Sequence, residues 1–318
     1  MIPLVLDLDV IDAHHHLCHR SAASYPWLEG PPVVRYHGDD VPLRRDYLLD
    51  DYRTDTAELD ALGGRLVGSV HVENGAADPV WESRWIDTVI AENSVPSVQV
   101  VKVDLTSPTA HKQLEAHAGL ASVHGVRDIL NWHPDPVLTH RDRGDLMTDP
   151  AWLAGFAALR EFGLSFDLQV FPGQLRQAAA LAADHGDIPL VLDHAGMPIV
   201  RDPDALDRWK RDLAVFAAEP NTTVKISALG TNDHRWTVDS IRRIVLDTIE
   251  VFGPSRCMIA SNFPVDGLYS TLGALYAAFD AITAGFSSDE RSDLFAGTAR
   301  RFYRIPSPVP PDLTNGEP

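Results

Sequence analysis

Short apolar runs alternate with amphipathic stretches along almost the whole chain, and this alternation restricts the possible folds more than any other feature. Eight of the runs have the length and composition of strands that are buried on both faces of a sheet. They span residues 10–13, 66–73, 97–104, 123–130, 164–171, 189–193, 222–227 and 256–260. Eight strands that alternate with helices predict either a closed (β/α)8 barrel or an open doubly wound sheet.

Glycine decides between these two folds. An open nucleotide-binding sheet needs a glycine-rich loop after an early strand. The sequence has only one glycine pair, Gly63-Gly64, and it precedes a strand, where it is better placed to end a helix. The sequence therefore predicts an α/β fold, a TIM-type (β/α)8 barrel, as one domain over residues 1–304. A loose, proline-rich tail is expected at 305–318.

Start signals for helices support the alternation. An Asp or Ser that can accept a backbone N–H bond precedes a proline at four places, and proline suits the first helical position. These places are Asp78-Pro79, Ser107-Pro108, Asp149-Pro150 and Asp202-Pro203. Ser287 with Glu290 has the spacing of a capping box. Each signal predicts the first turn of a helix.

Two long irregular stretches, residues 17–49 and 131–149, follow the first and the fourth predicted strands. Loops after barrel strands lie over the face where active sites form, and loops of this length often act as lids or binding loops. We expect both to overhang a pocket and to contribute side chains such as Trp27 and His133. The alternative is that each is a passive surface excursion.

The charge of the chain argues against nucleic acid as a partner. The 318 residues include 45 Asp and Glu against 27 Lys and Arg, and the basic residues are scattered. No apolar run is long enough to span a membrane, and the amino terminus lacks the basic segment of a secretory signal. The two cysteines, Cys18 and Cys257, form no disulfide framework and are expected as small buried side chains. These features predict a cytoplasmic protein with a small-molecule substrate, and a homo-oligomer is compatible with them.

The strongest local signal is Asp12-Ala13-His14-His15-His16. Alternate side chains of a strand share a face, so Asp12, His14 and His16 are expected to point together into the barrel. Buried imidazoles need a partner, and metal ligation or substrate hydrogen bonding supplies one. The alternative is a polar cluster whose hydrogen bonds are satisfied within the protein.

Polar residues close other predicted strands. His194 follows the sixth strand directly, and Asn262 and Asp266 follow the eighth, at the end of the barrel where catalytic residues collect. Arg127 is a candidate clamp for a substrate carboxylate, with a surface ion pair as the alternative. Lys225, inside a buried strand, must either meet a negative charge or point outward.

Taken together, these pieces resemble the second amidohydrolase family of the amidohydrolase superfamily, which includes sugar-acid lactonases and the pyrone-dicarboxylate lactonase. The matching segments are Asp12-x-His14-x-His16, 25–28, 125–127, 166–168, 191–194, 225–227 and 252–258. They occur in the family's order and cover nearly the whole chain. The resemblance implies a distorted barrel in which His14, His16 and His194 line the site and Arg127 holds a carboxylate.

One motif departs from the family. The lactonases usually close strand eight with Ser-Asp-Trp-Pro, whose aspartate is the general base toward water, whereas this chain has Ser261-Asn262-Phe263-Pro264. An amide cannot accept that proton. Asp266 is the preferred replacement, and Glu73, at the end of the second strand, is the next candidate.

The same departure bears on a metal. Family members differ in whether they hold a divalent ion, and His14, His16 and His194 would suffice for a catalytic zinc. Asn262 stands where the superfamily often uses a carboxylate ligand. The sequence therefore favours a metal-free or weakly metallated site, with one zinc ion as the alternative.

The sequence thus predicts a lactonase-like hydrolase in which water attacks the carbonyl of a small anionic lactone. Arg127, Lys225, Trp27 and Glu73 are the residues expected to contact the substrate. One alternative is a metal-dependent decarboxylase, or another C–C bond-cleaving enzyme, of the same superfamily. A second is a non-catalytic small-molecule binding protein, which the amide at Asn262 would allow.

Overall fold

The computed structural model describes residues 7–306, and an eight-stranded parallel barrel surrounded by helices is its main feature. The strands are β1 Asp9–His15, β2 Val34–Arg35, β3 Gly38–Asp39, β4 Arg65–Val72, β5 Val98–Lys102, β6 Val123–Ile129, β7 Ser165–Gln169, β8 Leu190–Leu192, β9 Thr222–Ile226 and β10 Cys257–Ile259. The helices are α1 Leu49–Ala61, α2 Pro79–Glu92, α3 Ala110–Ala118, α4 Pro150–Ala157, α5 Leu175–Asp184, α6 Pro203–Ala217, α7 Val238–Phe252, α8 Leu272–Thr283, α9 Ser288–Ser292 and α10 Thr298–Phe302. The predicted barrel and its eight strands are confirmed. The short hairpin β2–β3 was not predicted.

The barrel closes at the carboxyl ends of its strands. Neighbouring strands follow the order β1-β4-β5-β6-β7-β8-β9-β10. The segment after β10 returns to β1, where the amide of His16 donates to the carbonyl of Phe263 and the amide of Asn262 donates to the carbonyl of His14, each over 2.8 Å. Closure therefore fixes the polar ends of the first and last barrel strands against each other.

Side chains alternate between the barrel interior and the layer beneath the helices. In β8, Val191 belongs to the interior apolar cluster, whereas Leu190 and Leu192 pack in the outer cluster with helical residues. The same alternation turns Asp167 of β7 and Lys225 of β9 inward, because the residues on either side of each pack outward. Two charged side chains thus lie inside a largely apolar barrel.

An extra residue in β1 changes which side chains share a face. Asp12 pairs with Ser69 and His15 pairs with His71, so three steps along β1 match two steps along β4. Such a bulge reverses the alternation locally. Asp12 consequently accepts from the hydroxyl of Tyr52 over 2.9 Å, and His15 stacks on the same ring. The prediction that Asp12 points with His14 and His16 is therefore wrong.

The end of the described chain fills the barrel from the amino-terminal side of its strands. Tyr303 and Ile305 belong to the interior apolar cluster, and Arg304 donates to the carbonyl of Gly163, just before β7. Ile305 is only 5% exposed. The predicted start of the loose tail at 305 is thus wrong for this residue, because its apolar side chain completes the barrel core. The predicted tail from 307 onward lies outside the described residues.

Most of the predicted helix starts are confirmed. Asp78, Asp149, Asp202 and Ser287 each cap a helix by accepting a backbone N–H bond. Ser107 caps no helix: its hydroxyl accepts from the amide of Thr109 in a further turn, and α3 begins only at Ala110.

The predicted environment of the cysteines is also confirmed, since Cys18 and Cys257 are buried free thiols. None of the helices between residues 7 and 306 has the length and apolar character needed to cross a bilayer.

Candidate active site

Three imidazoles meet at the carboxyl ends of β1 and β8. The ring centre of His14 lies 4.9 Å from that of His16 and 4.7 Å from that of His194. His16 and His194 border a cavity, whereas His14 is fully buried beneath them. The structure therefore brings the three predicted histidines together at the end of the barrel where active sites form.

Hydrogen bonds on Nδ1 orient the two outer rings. Nδ1 of His16 lies 2.8 Å from the carbonyl oxygen of Val72, and Nδ1 of His194 lies 2.8 Å from the hydroxyl of Ser227. A carbonyl oxygen only accepts, so His16 carries its proton on Nδ1 and its Nε2 has a free lone pair. Burial lowers the pKa of His16 to about 4 and that of His194 to about 3. Burial and the charge of Lys225 hold the pKa of His14 well below its ordinary value, so all three rings are neutral near pH 7.

A left-handed turn after β8 presents His194 to the cavity. The φ angle is +58° at His194 and +53° at Ala195, in a region that residues other than glycine rarely occupy. The indole N–H of Trp209 donates to the carbonyl of Ala195 over 2.8 Å and holds the turn in place. Backbone strain of this kind is concentrated at functional sites.

A buried ion cluster lies beneath the histidines. Nζ of Lys225 lies 2.5 Å from Oδ2 of Asp167 and 3.3 Å from Oδ1 of Asp193, and all three side chains are fully buried. The hydroxyl of Tyr303 donates to the same Asp167 oxygen over 2.7 Å. A buried ammonium requires such partners. Lys225 does not border the cavity. It forms these internal ion pairs instead of the predicted contact with an anionic substrate.

A cavity of about 430 Å³ opens above the histidines. Both long loops border it, the first with Trp27, Arg35 and Tyr36 and the second with His140 and Arg141. Trp27 is fixed by its indole N–H, which donates to the carbonyl of Asn74 over 2.6 Å. His133, the other side chain expected from the loops, does not border the cavity.

The cavity lining is basic, although the chain as a whole is acidic. It includes four basic side chains and two acidic ones, and histidine is left out of both counts. They are Arg35, Lys102, Arg127 and Arg141 against Glu73 and Asp128. Arg127 pairs with Glu73 and Arg141 with Asp128, and within residues 7–306 neither Arg35 nor Lys102 makes an ion pair. Two cationic groups therefore remain for a ligand.

Arg127 forms a buried ion pair at the edge of the cavity. Its Nε donates to Oε1 of Glu73 and its Nη2 to the carbonyl oxygen of the same residue, each over 2.7 Å. Burial raises the pKa of Glu73, but the charges of Arg127 and Lys102 and the hydrogen bond from Arg127 together outweigh that effect and bring the pKa to about 2. Glu73 is therefore a weak base, which disfavours its predicted second-choice role. Arg127 is oriented by Glu73 and could reach a ligand only through its remaining nitrogen, Nη1.

Asn262 stands between the cavity and a buried carboxyl group. It borders the cavity beside His16, whereas Asp266 is 1% exposed and does not border it. The Asn262 side chain and the amides of Ala228 and Thr231 face the Asp266 oxygens without forming well-aligned hydrogen bonds. Burial raises the pKa of Asp266 to about 8. A carboxyl group with this pKa suits a general base near neutral pH, and the catalytic role of Asp266 stays a prediction.

Replacing Asp266 by asparagine is expected to lower kcat about tenfold above about pH 8 and to stabilise the fold. The folded-state pKa is about 8, and the unfolded value is about 4. Stability is therefore lost as the pH rises from the lower value to the higher one, because only the unfolded chain releases the proton in that range. Asp266→Asn should raise the free energy of unfolding by roughly 2–4 kcal/mol at about pH 8 and much less at about pH 4. A pH–rate profile and urea unfolding at both pH values measure these effects.

Asn262→Asp is the paired variant. A second carboxylate beside Asp266 would raise the pKa of one of the two groups and hold it protonated, so this change should also lower kcat. Higher activity in Asn262→Asp with no loss in Asp266→Asn would contradict the assignment of Asp266. If neither variant changes kcat, strand eight does not supply the base.

The donor set beneath the cavity suits a divalent ion. His14, Asp193 and His194 bring donor atoms within 4.8 Å of one another, and both Asp193 oxygens are buried without a hydrogen bond. Imidazole nitrogen and carboxylate oxygen are ligands that zinc accepts. Asp193 and His194 would hold the ion, and His14 would join them only through a nitrogen that carries no proton. Asp193 thus takes the place of His16 in the ligand set expected from the sequence.

Comparison with known proteins identifies the family. The sequence profile of the amidohydrolase family matches residues 11–305. The chain belongs to the amidohydrolase family. The resemblance noted in the sequence is thereby confirmed, and this amidohydrolase is a hydrolase with a TIM-type barrel.

Relatives of this amidohydrolase match it over nearly their whole length. It is 36% identical over 301 residues to a Sinorhizobium fredii protein named uncharacterized protein y4mH, covering 94% of this chain and 99% of that protein. It is 30% identical over 311 residues to the L-fucono-1,5-lactonase of Burkholderia multivorans, covering 94% and 97%. A solved amidohydrolase from Burkholderia multivorans superposes with a TM-score of 0.78 at 27% identity, over 93% of this chain and 99% of that one. It was crystallised with bound HEPES and, in another space group, with bound zinc.

Several residues around the site of the amidohydrolase were not among the predicted site residues. Asp193 lies in the same motif as His194, and Asp167 occupies an inward position of β7, so alternation could have identified both. Lys102 ends β5 and was equally accessible to strand-end reasoning. Arg35 and Tyr36 belong to the hairpin β2–β3, for which the sequence carries no strand signal of useful length.

Proposed function

We propose that this amidohydrolase hydrolyses a small lactone whose ring carries a carboxylate group. The observation that supports this most is the basic cavity lining above three neutral imidazoles. Arg35 and Lys102 have no internal ion pair within the described part of the chain and would bind an anionic substituent. A low-dielectric cavity strengthens such attractions.

The residues divide the reaction between them. A lactone carbonyl placed above the histidines would be polarised by the Nε2–H of His194, whose Nδ1 can accept from Ser227, and this donor stabilises the negative charge that develops on the carbonyl oxygen. Water attacks the carbonyl carbon, the ring C–O bond breaks, and the proton lost by water is returned to the leaving alkoxide. Asp266 is assigned as the base because its pKa suits that transfer. Asp266 does not border the cavity itself, and Asn262 stands between the two. A divalent ion held by Asp193 and His194 would supply Lewis-acid activation when bound.

The relatives support the reaction class, and the cavity supports the charge of the substrate. The protein from Burkholderia multivorans at 30% identity is named for the hydrolysis of a 1,5-lactone. Among the relatives described above, none at 30% identity or more is named as a decarboxylase or as a binding protein. The preference for a carboxylated ring rests on Arg35 and Lys102 alone, so these two residues are the ones to test.

The test compares matched lactones with and without a ring carboxylate, with turnover followed by proton release. The carboxylated member of each pair should have a kcat/KM at least about tenfold higher, which corresponds to one charge-assisted contact. Lys102→Ala should reduce this preference several-fold, mainly through KM, because a remote contact binds ground state and transition state alike. Lys112→Ala, on the exposed face of α3, is the matched control.

Each outcome of the panel has a distinct meaning. Equal kcat/KM for both members of every pair would contradict the carboxylate but leave the lactonase proposal intact. Release of carbon dioxide without lactone hydrolysis would favour a decarboxylase. Saturable binding without turnover would favour a binding protein.

A further inference from the structure

Lys225 makes a contact with His14 that the ion cluster alone does not require. Its Nζ lies 3.2 Å from Nδ1 of His14 in hydrogen-bonding geometry, in addition to its bond to Asp167. Lys225 and His14 are both fully buried, so no solvent can replace this contact. The two residues are 211 positions apart in sequence and meet only because closure of the barrel places β1 and β9 on either side of β10.

The chemistry of the two groups fixes the direction of this hydrogen bond. A lysine ammonium has three N–H donors and no lone pair, so Nδ1 of His14 must be the acceptor. The neutral ring then carries its proton on Nε2. We infer that Lys225 is a positioning residue that holds His14 in the Nε2–H tautomer beneath His16 and His194, the two imidazoles that border the cavity.

The opposite tautomer is disfavoured by its neighbours. Oδ1 of Asp193 lies 3.4 Å from Nδ1 of His14 but forms no well-aligned hydrogen bond with it. If Nδ1 of His14 carried the proton, its N–H could donate only to Asp193, and the N–H of Lys225 that now donates to Nδ1 would lose its acceptor. A buried donor left without an acceptor costs roughly 1–3 kcal/mol.

The Nε2–H tautomer leaves one unused donor at the centre of the site. Nε2 of His14 is buried and has no hydrogen-bond partner within the described residues. Lys225 contacts the other ring nitrogen, Nδ1, and the ring centres of His16 and His194 lie 4.9 and 4.7 Å from that of His14. A protonated nitrogen cannot bind a metal. Lys225 therefore withholds His14 from an ion held by Asp193 and His194 and keeps its N–H beneath the two imidazoles that border the cavity.

The tautomer can be measured without any substrate. In metal-free protein, ¹⁵N spectra of the imidazole rings, assigned by comparison with His14→Asn, should show Nε2 of His14 protonated and Nδ1 unprotonated. In Lys225→Met the ammonium is gone and Asp193 becomes the nearest partner of Nδ1, so the two nitrogens should exchange roles. Zinc titrated into Lys225→Met should bind at least about tenfold more tightly than to the wild type, because a third ligand is released.

The kinetic part of the inference rests on the proposed function. Loss of the fixed orientation of His14 beneath His16 and His194 should lower kcat on a carboxylated lactone by about tenfold with KM changed by less than about threefold. Lys112→Met, on the exposed face of α3, is the matched control, because it makes the same chemical change far from the ion cluster. It should keep both the tautomer and kcat.

Two results would overturn the inference. One is a wild-type His14 protonated on Nδ1, and the other is an unchanged tautomer in Lys225→Met. If Lys225→Met does not fold, the double variant Asp167→Asn/Lys225→Met removes the ammonium together with a carboxylate that it neutralises, and the same exchange of roles is expected. If the tautomer exchanges as described but no lactone is hydrolysed by the wild type, only the proposed function fails.

Discussion

Replacing His194 by asparagine is expected to lower kcat/KM on a carboxylated lactone by about 100- to 10,000-fold, the usual effect of removing a group that acts in the transition state. His194 borders the cavity, is neutral near pH 7 and is held by Ser227. Asparagine suits the position because it tolerates the left-handed backbone found there, with φ at +58°. Steady-state kinetics give the loss, and thermal unfolding confirms that the variant is folded.

His111→Asn is the matched control for this prediction. His111 lies on the exposed face of α3, where its Nε2 is 3.0 Å from a carboxylate oxygen of Glu161. The same chemical change there should leave kcat/KM within about threefold of the wild type, because an exposed ion pair contributes little. If His194→Asn caused no larger loss than this control, the histidine cluster would not be the reacting centre.

The Arg127→Met variant is expected to have the largest effect on stability. It leaves Glu73 as a buried carboxylate without its partner, and breaking a buried ion pair in this way costs about 3–5 kcal/mol. In the wild type the folded-state pKa of Glu73 is about 2, below its ordinary 4.5, so the contribution of the pair is present above about pH 4.5 and is lost as the pH falls toward 2. In the variant, Glu73 can take up a proton, so the deficit should be largest near pH 7 and smaller near pH 5. Urea unfolding at both pH values measures it.

Two further variants show whether the loss of stability comes from the unpaired carboxylate. Glu73→Gln/Arg127→Met removes both charges and should recover a large part of the lost stability, as expected for an unpaired carboxylate. Arg65→Met breaks an ion pair with Asp9 whose two side chains are 74% and 44% exposed, and should change stability by less than about 1 kcal/mol. Equal losses in Arg127→Met and Arg65→Met would mean that the Glu73 pair is solvated and not buried.

The barrel could be predicted from the sequence because its signal is local and repeated. Each strand is a short apolar run, and each helix start is a capping residue before proline or a capping box. His14, His16 and His194 could be predicted as one cluster because the carboxyl ends of parallel strands meet on one face. The catalytic roles of these residues remain predictions.

What the sequence did not disclose depends on contacts between distant strands. The bulge in β1 turned Asp12 away from His14, and a one-residue shift of this kind leaves no mark in a pattern of polar and apolar residues. Lys225 could be given two possible orientations, but its partners Asp167 and Asp193 lie on other strands. Arg127 was correctly placed near the site, yet its pairing with Glu73 required β4 and β6 in register on either side of β5.

Because Tyr303 lies near the end of the described chain, the charged interior of the barrel is completed late in synthesis. The hydroxyl of Tyr303 bonds to Asp167, and its ring lies 5.3 Å from Nζ of Lys225. Until Tyr303 has left the ribosome, Asp167 lacks one of its hydrogen-bond donors and Lys225 lacks the ring beside its Nζ. A nascent chain that ends before Tyr303 would therefore carry an incomplete ion cluster, and the surroundings that orient His14 would be complete only after the last helix has been made.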